Sequence, residues 1–200
     1  AWRFAQLLRQ EGVRVTGEII ARHRPVAPSD DPGMRGDAPA PRPPVQPVLA
    51  KLAPSPLRDD ILITNKVSQN LHAELLLRRV GAVKGSGSVA DGQAAVIAML
   101  ESAGVPRWTY DLADGSGMSN YNRLTPRGTV TFLRWTQTQP WGAAWRETLP
   151  VGGEDGTLVR RFARTSLAGK LFAKTGSLDK SNALSGFLTT ASGRTFTFSA

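Results

Sequence analysis

The end of the chain alternates apolar and polar residues in three short segments, and this pattern restricts the possible folds most. The segments are Phe172 to Thr175, Leu184 to Thr189 and Arg194 to Phe198. Alternation with a period of two is typical of strands with one buried face. Ala191-Ser192-Gly193 separates the last two segments and predicts a turn between antiparallel strands. The chain is therefore expected to end in an antiparallel sheet.

Helical periodicity dominates the part of the chain that precedes these strands. The predicted helices run from Trp2 to Glu11, from a Ser55-Pro56 start, from Leu71 to Arg79, from Gln93 to Ala103 and from a Thr125-Pro126 start. Ser55 fits an N-cap, and Pro56 fits the first helical position. Helices followed by an antiparallel sheet define the α+β class.

Two of these helices carry apolar residues that we expect to be largely buried. In the helix after Ser68 they are Leu71, Leu75, Leu76 and Leu77. In the helix after Thr125 they are Val130, Phe132, Leu133 and Trp135. The stretch from Val13 to Ile20 predicts a strand that enters a turn.

A segment rich in Pro, Asp and Gly, residues 25–47, interrupts this pattern. Such a composition predicts an extended loop or linker, and it is a candidate seam between domains. We expect ordered structure to return at Val48 to Leu52. The opening residues, Ala1 to Gln6, read as the middle of a helix, so we expect the chain to be a fragment.

The composition excludes several kinds of site. Without cysteine, the chain has no disulfides, no Cys-ligated zinc and no thiol nucleophile. His23 and His72 are too few for a multi-His metal site and leave few candidates for a Ser-His-Asp triad. No stretch approaches the roughly 20 apolar residues that span a bilayer. The net charge of +9 suggests a polyanionic partner or solvated surface charge, and the scattered arginines favour the second.

Lys174-Thr175-Gly176-Ser177 lies on a predicted strand and carries the sharpest chemical signal. Lys174 would place a fixed positive charge on the strand. Gly176 points to the same side, because strand side chains alternate, and its missing side chain lets a substrate backbone lie against the strand. The backbone N–H of Ser177 can then donate to a developing oxyanion. The alternative is an ordinary strand that happens to contain these residues.

Ser68-Gln69-Asn70 is a weaker signal, because roughly one chain in three of this composition shows Ser-x-Asn by accident. In a tight turn, Ser68 and Asn70 can point to one side. Ser68 would then relay a proton, while Asn70 offers a donor and an acceptor to a substrate amide. Both residue types also favour turns for purely structural reasons.

Taken together, the two motifs resemble part of a known set. Penicillin-binding proteins and class A β-lactamases use Ser-x-x-Lys, Ser-Asp-Asn and Lys-Thr-Gly in that order. Asp114 to Asn122 is similar to Asp-Gly-Ser-Gly-Leu-Ser-Arg-x-Asn, and Leu149 to Leu158 to Leu-Pro-x-Ala-Gly-x-Asp-Gly-(Ser/Thr)-Leu. These are signatures of the D-alanyl-D-alanine carboxypeptidase/endopeptidases, the class C low-molecular-mass penicillin-binding proteins of peptidase S13 type. Leu184 to Thr190 resembles the strand that follows Lys-Thr-Gly in that family.

The resemblance implies a fold and a domain plan. The fold would be β-lactamase/transpeptidase-like, an antiparallel sheet flanked by helices, with its N-terminal part missing. Residues 1–47 would be the end of an inserted accessory domain plus a Pro-rich linker. Residues 48–200 would be the C-terminal part of the penicillin-binding catalytic domain.

The resemblance also implies roles for individual residues. A serine of Ser-x-x-Lys, a segment we expect to be absent here, would attack the D-Ala-D-Ala carbonyl and form an acyl-enzyme. Ser68 would pass a proton to the leaving nitrogen, Asn70 would hold the substrate amide, and Lys174 would keep the site electropositive. Thr175 and Ser177 would bind the terminal carboxylate beside Gly176. No metal or organic cofactor is needed.

Several positions depart from the family or imitate its motifs. Asn120 stands where the family usually has Arg, and Asp179 where some members have Gln. Ser177-Leu178-Asp179-Lys180 matches Ser-x-x-Lys literally, but it continues a strand, where positions three apart face opposite sides. We interpret His72 and the pair Asp59-Asp60 as surface helix residues rather than as catalytic groups.

The sequence therefore predicts a serine-type carboxypeptidase, endopeptidase or both. Its implied partners are peptidoglycan stem peptides and β-lactam antibiotics, without nucleic acid or an integral membrane span. Its implied location is the periplasm or the outer face of the cytoplasmic membrane. The alternatives are a non-catalytic peptidoglycan-binding relative, a β-lactamase or esterase that uses the same site, and a basic nucleic-acid-binding protein.

Overall fold

The computed structural model describes residues 1–21, 23–42, 44–45, 47–48 and 51–200. Its helices are α1 (Trp2–Gln10), α2 (Pro32–Arg35), α3 (Leu57–Lys66), α4 (Asn70–Lys84), α5 (Val89–Ser102), α6 (Pro126–Thr136) and α7 (Gly142–Glu147). Its strands are β1 (Tyr110–Asp111), β2 (Arg123–Leu124), β3 (Leu171–Leu178), β4 (Ser181–Thr189) and β5 (Thr195–Ser199). Helices therefore precede a C-terminal sheet, and the predicted α+β class is confirmed.

The C-terminal sheet is antiparallel in the order β3-β4-β5, as the alternating pattern predicted. Lys174 on β3 is opposite Ser185 on β4. Gly186, the next residue, lies close against β3. A Cβ there would lie 2.0 Å from the Phe172 carbonyl oxygen and 2.6 Å from the Ala173 Cα, so no larger residue fits. Gly186 thus allows β3 and β4 to pair closely beside Lys174.

Helices α6 and α7 cover the sheet through an apolar cluster. Phe187, Leu149 and Leu133 are at most 5% exposed, and Trp145 and Phe172 pack against them. Burial of large side chains like these supplies most of the stabilisation of a fold. The start of α6 follows the prediction, because the Thr125 hydroxyl accepts a hydrogen bond from the Gly128 N–H and Pro126 occupies the first turn.

Two predictions about the first third of the chain are wrong, and a third falls partly outside the described residues. Val13 to Ile20 contains no strand, since no described residue pairs with its backbone as a strand. Helix α3 begins at Leu57 with Pro56 as its cap, so Ser55 makes no capping hydrogen bond. Of the segment predicted to restore order, Leu49 and Ala50 lie outside the described residues, and Val48, Lys51 and Leu52 lie outside helices and strands. The next element is α3.

The burial predicted for the α4 leucines is wrong for two of them. Leu77 is 8% exposed, but Leu71 and Leu75 are 62% and 54% exposed. Residues four apart share one side of a helix, whereas residues two apart do not. Leu71 and Leu75 therefore point away from the side on which Leu77 meets α5. Helix α4 also extends beyond the predicted Arg79, to Lys84.

Part of the Pro-rich segment is attached to the connection between α4 and α5. Arg35, with a side chain 9% exposed, makes an ion pair of 2.7 Å with the buried carboxylate of Asp91. The Ser86 hydroxyl donates to the same carboxylate at 2.6 Å, and the Ser88 hydroxyl donates to the backbone carbonyl of Asp30 at 2.6 Å. A paired and hydrogen-bonded carboxylate is tolerated in such a buried place. These contacts fix residues around α2 against the helix pair.

Acid is expected to weaken this attachment. Burial on its own would raise the pKa of Asp91, but hydrogen bonds from Arg35 and Ser86 outweigh burial and hold the pKa well below the ordinary 3.8. A carboxylate with a lowered folded-state pKa contributes stability that is complete above the unfolded-state pKa and lost as the pH falls towards the folded-state one. We expect the free energy of unfolding to decline below about pH 4. Urea denaturation from pH 7 to pH 3 measures this decline. The D91N variant should show a shallower decline, and an unchanged slope would contradict the assignment.

Candidate active site

Ser68 occupies the turn between α3 and α4. Helix α3 ends at Lys66, and α4 begins at Asn70 after the Gln69 cap. The φ of Ser68 is 59°, a left-handed conformation that residues other than glycine rarely adopt. Such a conformation persists only where the surroundings enforce it, and it is common at functional sites. The turn therefore holds the Ser68 side chain in a defined direction.

Lys174 meets this turn from the sheet. Its Nζ donates to the Ser68 Oγ at 2.8 Å, although 106 residues separate the two in sequence. The same Nζ donates to the backbone carbonyl of Thr175 at 2.6 Å. Burial lowers the pKa of the Lys174 ammonium below the ordinary 10.5. The structure thus brings together the serine of one sequence motif and the lysine of the other.

The remaining motif residues lie around this contact. Asn70 is exposed in the first turn of α4, and Gly176 and Ser177 are exposed on β3. A Cβ at Gly176 would meet only Ala183 within 4 Å, at an ordinary 3.7 Å. One side of β3 is therefore open to a ligand backbone. The Ser177 hydroxyl donates to the Asn182 side chain at 2.9 Å.

Two charged residues that the sequence analysis did not single out anchor the Ser68 turn. Lys66 Nζ donates to Asp155 Oδ2 at 2.6 Å, on the loop that precedes the sheet. The Glu74 carboxylate on α4 accepts from the N–H groups of Gly115 and Ser116, at 3.2 Å and 3.0 Å. The partners of these two residues, Asp155 and Gly115-Ser116, fall inside the two stretches that resemble the family. That resemblance is the sequence feature that could have pointed to these contacts. Lys66 and Glu74 lie outside those stretches.

The loop after β1 is organised by Asp114. Its carboxylate accepts from the N–H groups of Gly117 and Ser119, at 2.7 Å and 2.6 Å. The Asn122 side chain adds a hydrogen bond of 2.8 Å to the same carboxylate. Because Asp and Asn side chains close turns in this way, the stretch forms a compact loop beside α4. Asn120, at the position where the family usually has Arg, is exposed on it.

The tetrapeptide that imitates Ser-x-x-Lys and the residues interpreted as surface helix residues have no place in the candidate site. Ser177 and Leu178 end β3, and Asp179 and Lys180 form the following turn, so this tetrapeptide is not helical. His72 on α4 lies 3.5 Å from Asp60 on α3.

Among the described residues, no three His, Asp or Glu side chains are grouped to hold a metal ion. No helix within those residues has both the length and the apolar character that a bilayer crossing requires.

Comparison with known proteins assigns the family. Residues 2–200 match the family model described as D-Ala-D-Ala carboxypeptidase 3 (S13). The chain belongs to the S13 family. As an S13 chain it is 35% identical over 147 residues to a D-alanyl-D-alanine carboxypeptidase of Actinomadura sp. (strain R39), covering 70% of this chain and 27% of that protein. It is 34% identical over 195 residues to the D-alanyl-D-alanine carboxypeptidase DacB of Haemophilus influenzae, covering 96% of this chain and 37% of that protein.

A solved structure shows the same fold. Penicillin-binding protein 4 from Haemophilus influenzae, in complex with a β-lactam, matches 98% of this S13 chain with a TM-score of 0.78 and 28% identity. The match covers 42% of that structure's chain. The fold is thus that of the penicillin-binding peptidases. The chain spans well under half the length of these relatives.

Proposed function

We propose that this chain belongs to a serine-type D-Ala-D-Ala carboxypeptidase that acts on peptidoglycan stem peptides through an acyl-enzyme. The observation that carries the proposal is the 2.8 Å contact between Lys174 Nζ and Ser68 Oγ in an S13 chain. A hydroxyl beside a half-buried ammonium is well placed to move a proton during peptide cleavage. The open side of β3 next to it suits an extended peptide.

The proposed reaction has two steps. The oxygen of a serine outside residues 1–200 bonds to the carbonyl carbon between the two D-Ala residues, and the carbon–nitrogen bond breaks. The proton that the attacking hydroxyl loses passes through Ser68 to the departing nitrogen, so that Ser68 is left unchanged, and Lys174 keeps the groove electropositive. Water then attacks the acyl-enzyme and releases the shortened peptide. Neither step needs a metal or an organic cofactor.

The other motif residues would hold the substrate. Asn70 would bind its amide, and Thr175 and Ser177 would bind the terminal carboxylate through their hydroxyls. The Ser177 N–H would contribute to the oxyanion hole, where loss of a single donor lowers kcat about 10²–10³-fold. Gly176 would leave room for the substrate backbone. The same groove would accept β-lactams. A peptidoglycan substrate would imply a location in the periplasm or on the outer face of the cytoplasmic membrane.

Labelling of the full-length protein with a fluorescent penicillin tests the proposal. We expect a covalent adduct that forms with excess reagent, together with release of D-Ala from a pentapeptide substrate. A full-length protein that neither labels nor releases D-Ala would overturn the enzymatic proposal and favour a binding role. Rapid β-lactam turnover without D-Ala release would indicate a β-lactamase instead. A cross-linked muropeptide separates endopeptidase from carboxypeptidase activity.

A further inference from the structure

One loop contacts both elements that carry the proposed site. We call residues Leu149–Leu158 the bridging loop. At one end it is attached to β3, because the Ala173 N–H donates to the Pro150 carbonyl at 3.0 Å. At the other end, the Thr157 hydroxyl meets the Thr175 hydroxyl at 2.8 Å. The bridging loop is therefore joined at both ends to the strand that bears Lys174.

Lys66 ties the bridging loop to α3. Its Nζ donates to Asp155 Oδ2 at 2.6 Å and to the Leu149 carbonyl at 2.7 Å. The Lys66 side chain is 17% exposed. The second Asp155 oxygen accepts from the Val151 N–H at 2.8 Å, which orients the carboxylate. Charge-assisted hydrogen bonds of this kind are stronger and more directional than neutral ones.

Gly156 brings the two backbones into direct contact. Its φ of +55° lies in the left-handed region, and a Cβ there would stand 2.5 Å from the Lys66 carbonyl oxygen. The backbone of the bridging loop therefore rests on the last turn of α3. The Lys66–Asp155 contact and this backbone contact both fix the spacing between the end of α3 and the bridging loop.

The spacing matters because the Ser68 turn begins where Lys66 ends α3. We propose that Lys66 and Asp155 are positioning residues that hold Ser68 at its working distance from Lys174. The inference rests on the proposed function of Ser68 and Lys174. It adds a pair of residues that hold the Ser68 turn and β3 at a fixed distance. The hydrogen bonds of Lys66 go to Leu149 and Asp155 and not to the residues proposed to bind substrate. Its loss should therefore affect the chemical step rather than substrate binding.

The test compares variants of the full-length protein. K66M removes the ammonium and keeps the aliphatic stem, and D155N removes the charge of the partner. R58A is the matched control, because Arg58 lies on the same helix and its pair with Glu147 is exposed, at 60% and 64%. We expect K66M and D155N each to lower the rate of penicillin acylation and kcat for D-Ala release about 10–100-fold, since small displacements of catalytic groups have such effects. KM should change less than about twofold, and R58A should behave as the unmodified protein.

Two further readouts separate positioning from general destabilisation. Hydrogen exchange of the amides in residues 67–70 should become faster in K66M and D155N, but not in R58A. The double variant should lose little more than the worse single variant, because both substitutions remove one contact. K66R, which keeps the charge, should restore part of kcat.

Each outcome bears on the inference. Normal kcat and normal exchange in both variants would overturn it, as would a raised KM with unchanged kcat. If one variant fails to fold, the other and K66R still decide. If the unmodified protein shows neither acylation nor D-Ala release, the proposed function falls, and exchange at residues 67–70 still shows whether the pair holds the turn.

Discussion

Replacing Lys174 by alanine in the full-length protein is expected to lower kcat/KM for D-Ala release by about 10³-fold. The side chain supplies the half-buried positive charge beside the Ser68 hydroxyl, at 2.8 Å. Alanine leaves Ser68 without that partner and leaves the groove less electropositive. Fluorescent-penicillin labelling should slow in parallel, because acylation uses the same groups. Steady-state kinetics with a pentapeptide and the rate of labelling measure the two effects.

The pH dependence of activity gives an independent check on Lys174. Burial lowers the pKa of this ammonium below the ordinary 10.5, so the charged form is lost at a lower pH than for an exposed lysine. If the charge is needed, kcat/KM should fall on the alkaline side before pH 10.5. K174R is the matched control, because a guanidinium stays charged and should flatten this decline, whatever its absolute rate. Activity of K174A within threefold of the unmodified protein would contradict the proposed role.

Replacing Phe187 by alanine is expected to lower the free energy of unfolding by about 4 kcal/mol. Phe187 is 1% exposed near the C-terminal end of β4. It packs edge-on against Trp145 with the ring centroids 6.4 Å apart, and the Arg146 guanidinium lies 5.5 Å from its ring centroid. Truncation leaves a cavity between the sheet and α7 that these rigid neighbours cannot fill. Urea denaturation of the variant and the unmodified protein measures the difference.

Phe196 on β5 is the matched control for this change. It is the same residue type in the same sheet, but it is 44% exposed. Replacing Phe196 by alanine should therefore lower the free energy of unfolding by only roughly 1 kcal/mol, because much of the apolar surface of Phe196 is already in water. Equal losses in the two variants would show that the cluster around Phe187 does not carry the stability of the sheet.

The sequence predicted the C-terminal sheet well because its signal is local. Alternation with a period of two marks β3, β4 and β5, and a turn follows Thr189 and precedes β5. The strand predicted from Val13 to Ile20 failed because pairing requires a partner strand, which local pattern does not reveal. The burial of Leu71 and Leu75 failed because it depends on which side of α4 meets α5, a tertiary property.

The candidate site was predicted in part. The contact between Ser68 and Lys174 followed from two short motifs whose residue types carry recognisable chemistry. The Lys66–Asp155 pair spans 89 residues, and Glu74 reaches Gly115 across 41 residues. A lone Lys or Glu on a helix is ordinarily solvated, so nothing local marks either residue as hydrogen-bonded to a distant loop.

The close approach at Gly186 has a consequence for how the groove can vary. Sliding β4 past β3 by one residue would bring Ser185 or Phe187 against the Phe172 carbonyl oxygen, where even one methyl group has no space. Because side chains on a strand alternate, a one-residue slip of β3 itself would turn Lys174 to the opposite side of the sheet. We therefore expect a one-residue insertion or deletion in β3 before Lys174 to abolish the lysine–serine contact rather than change its length.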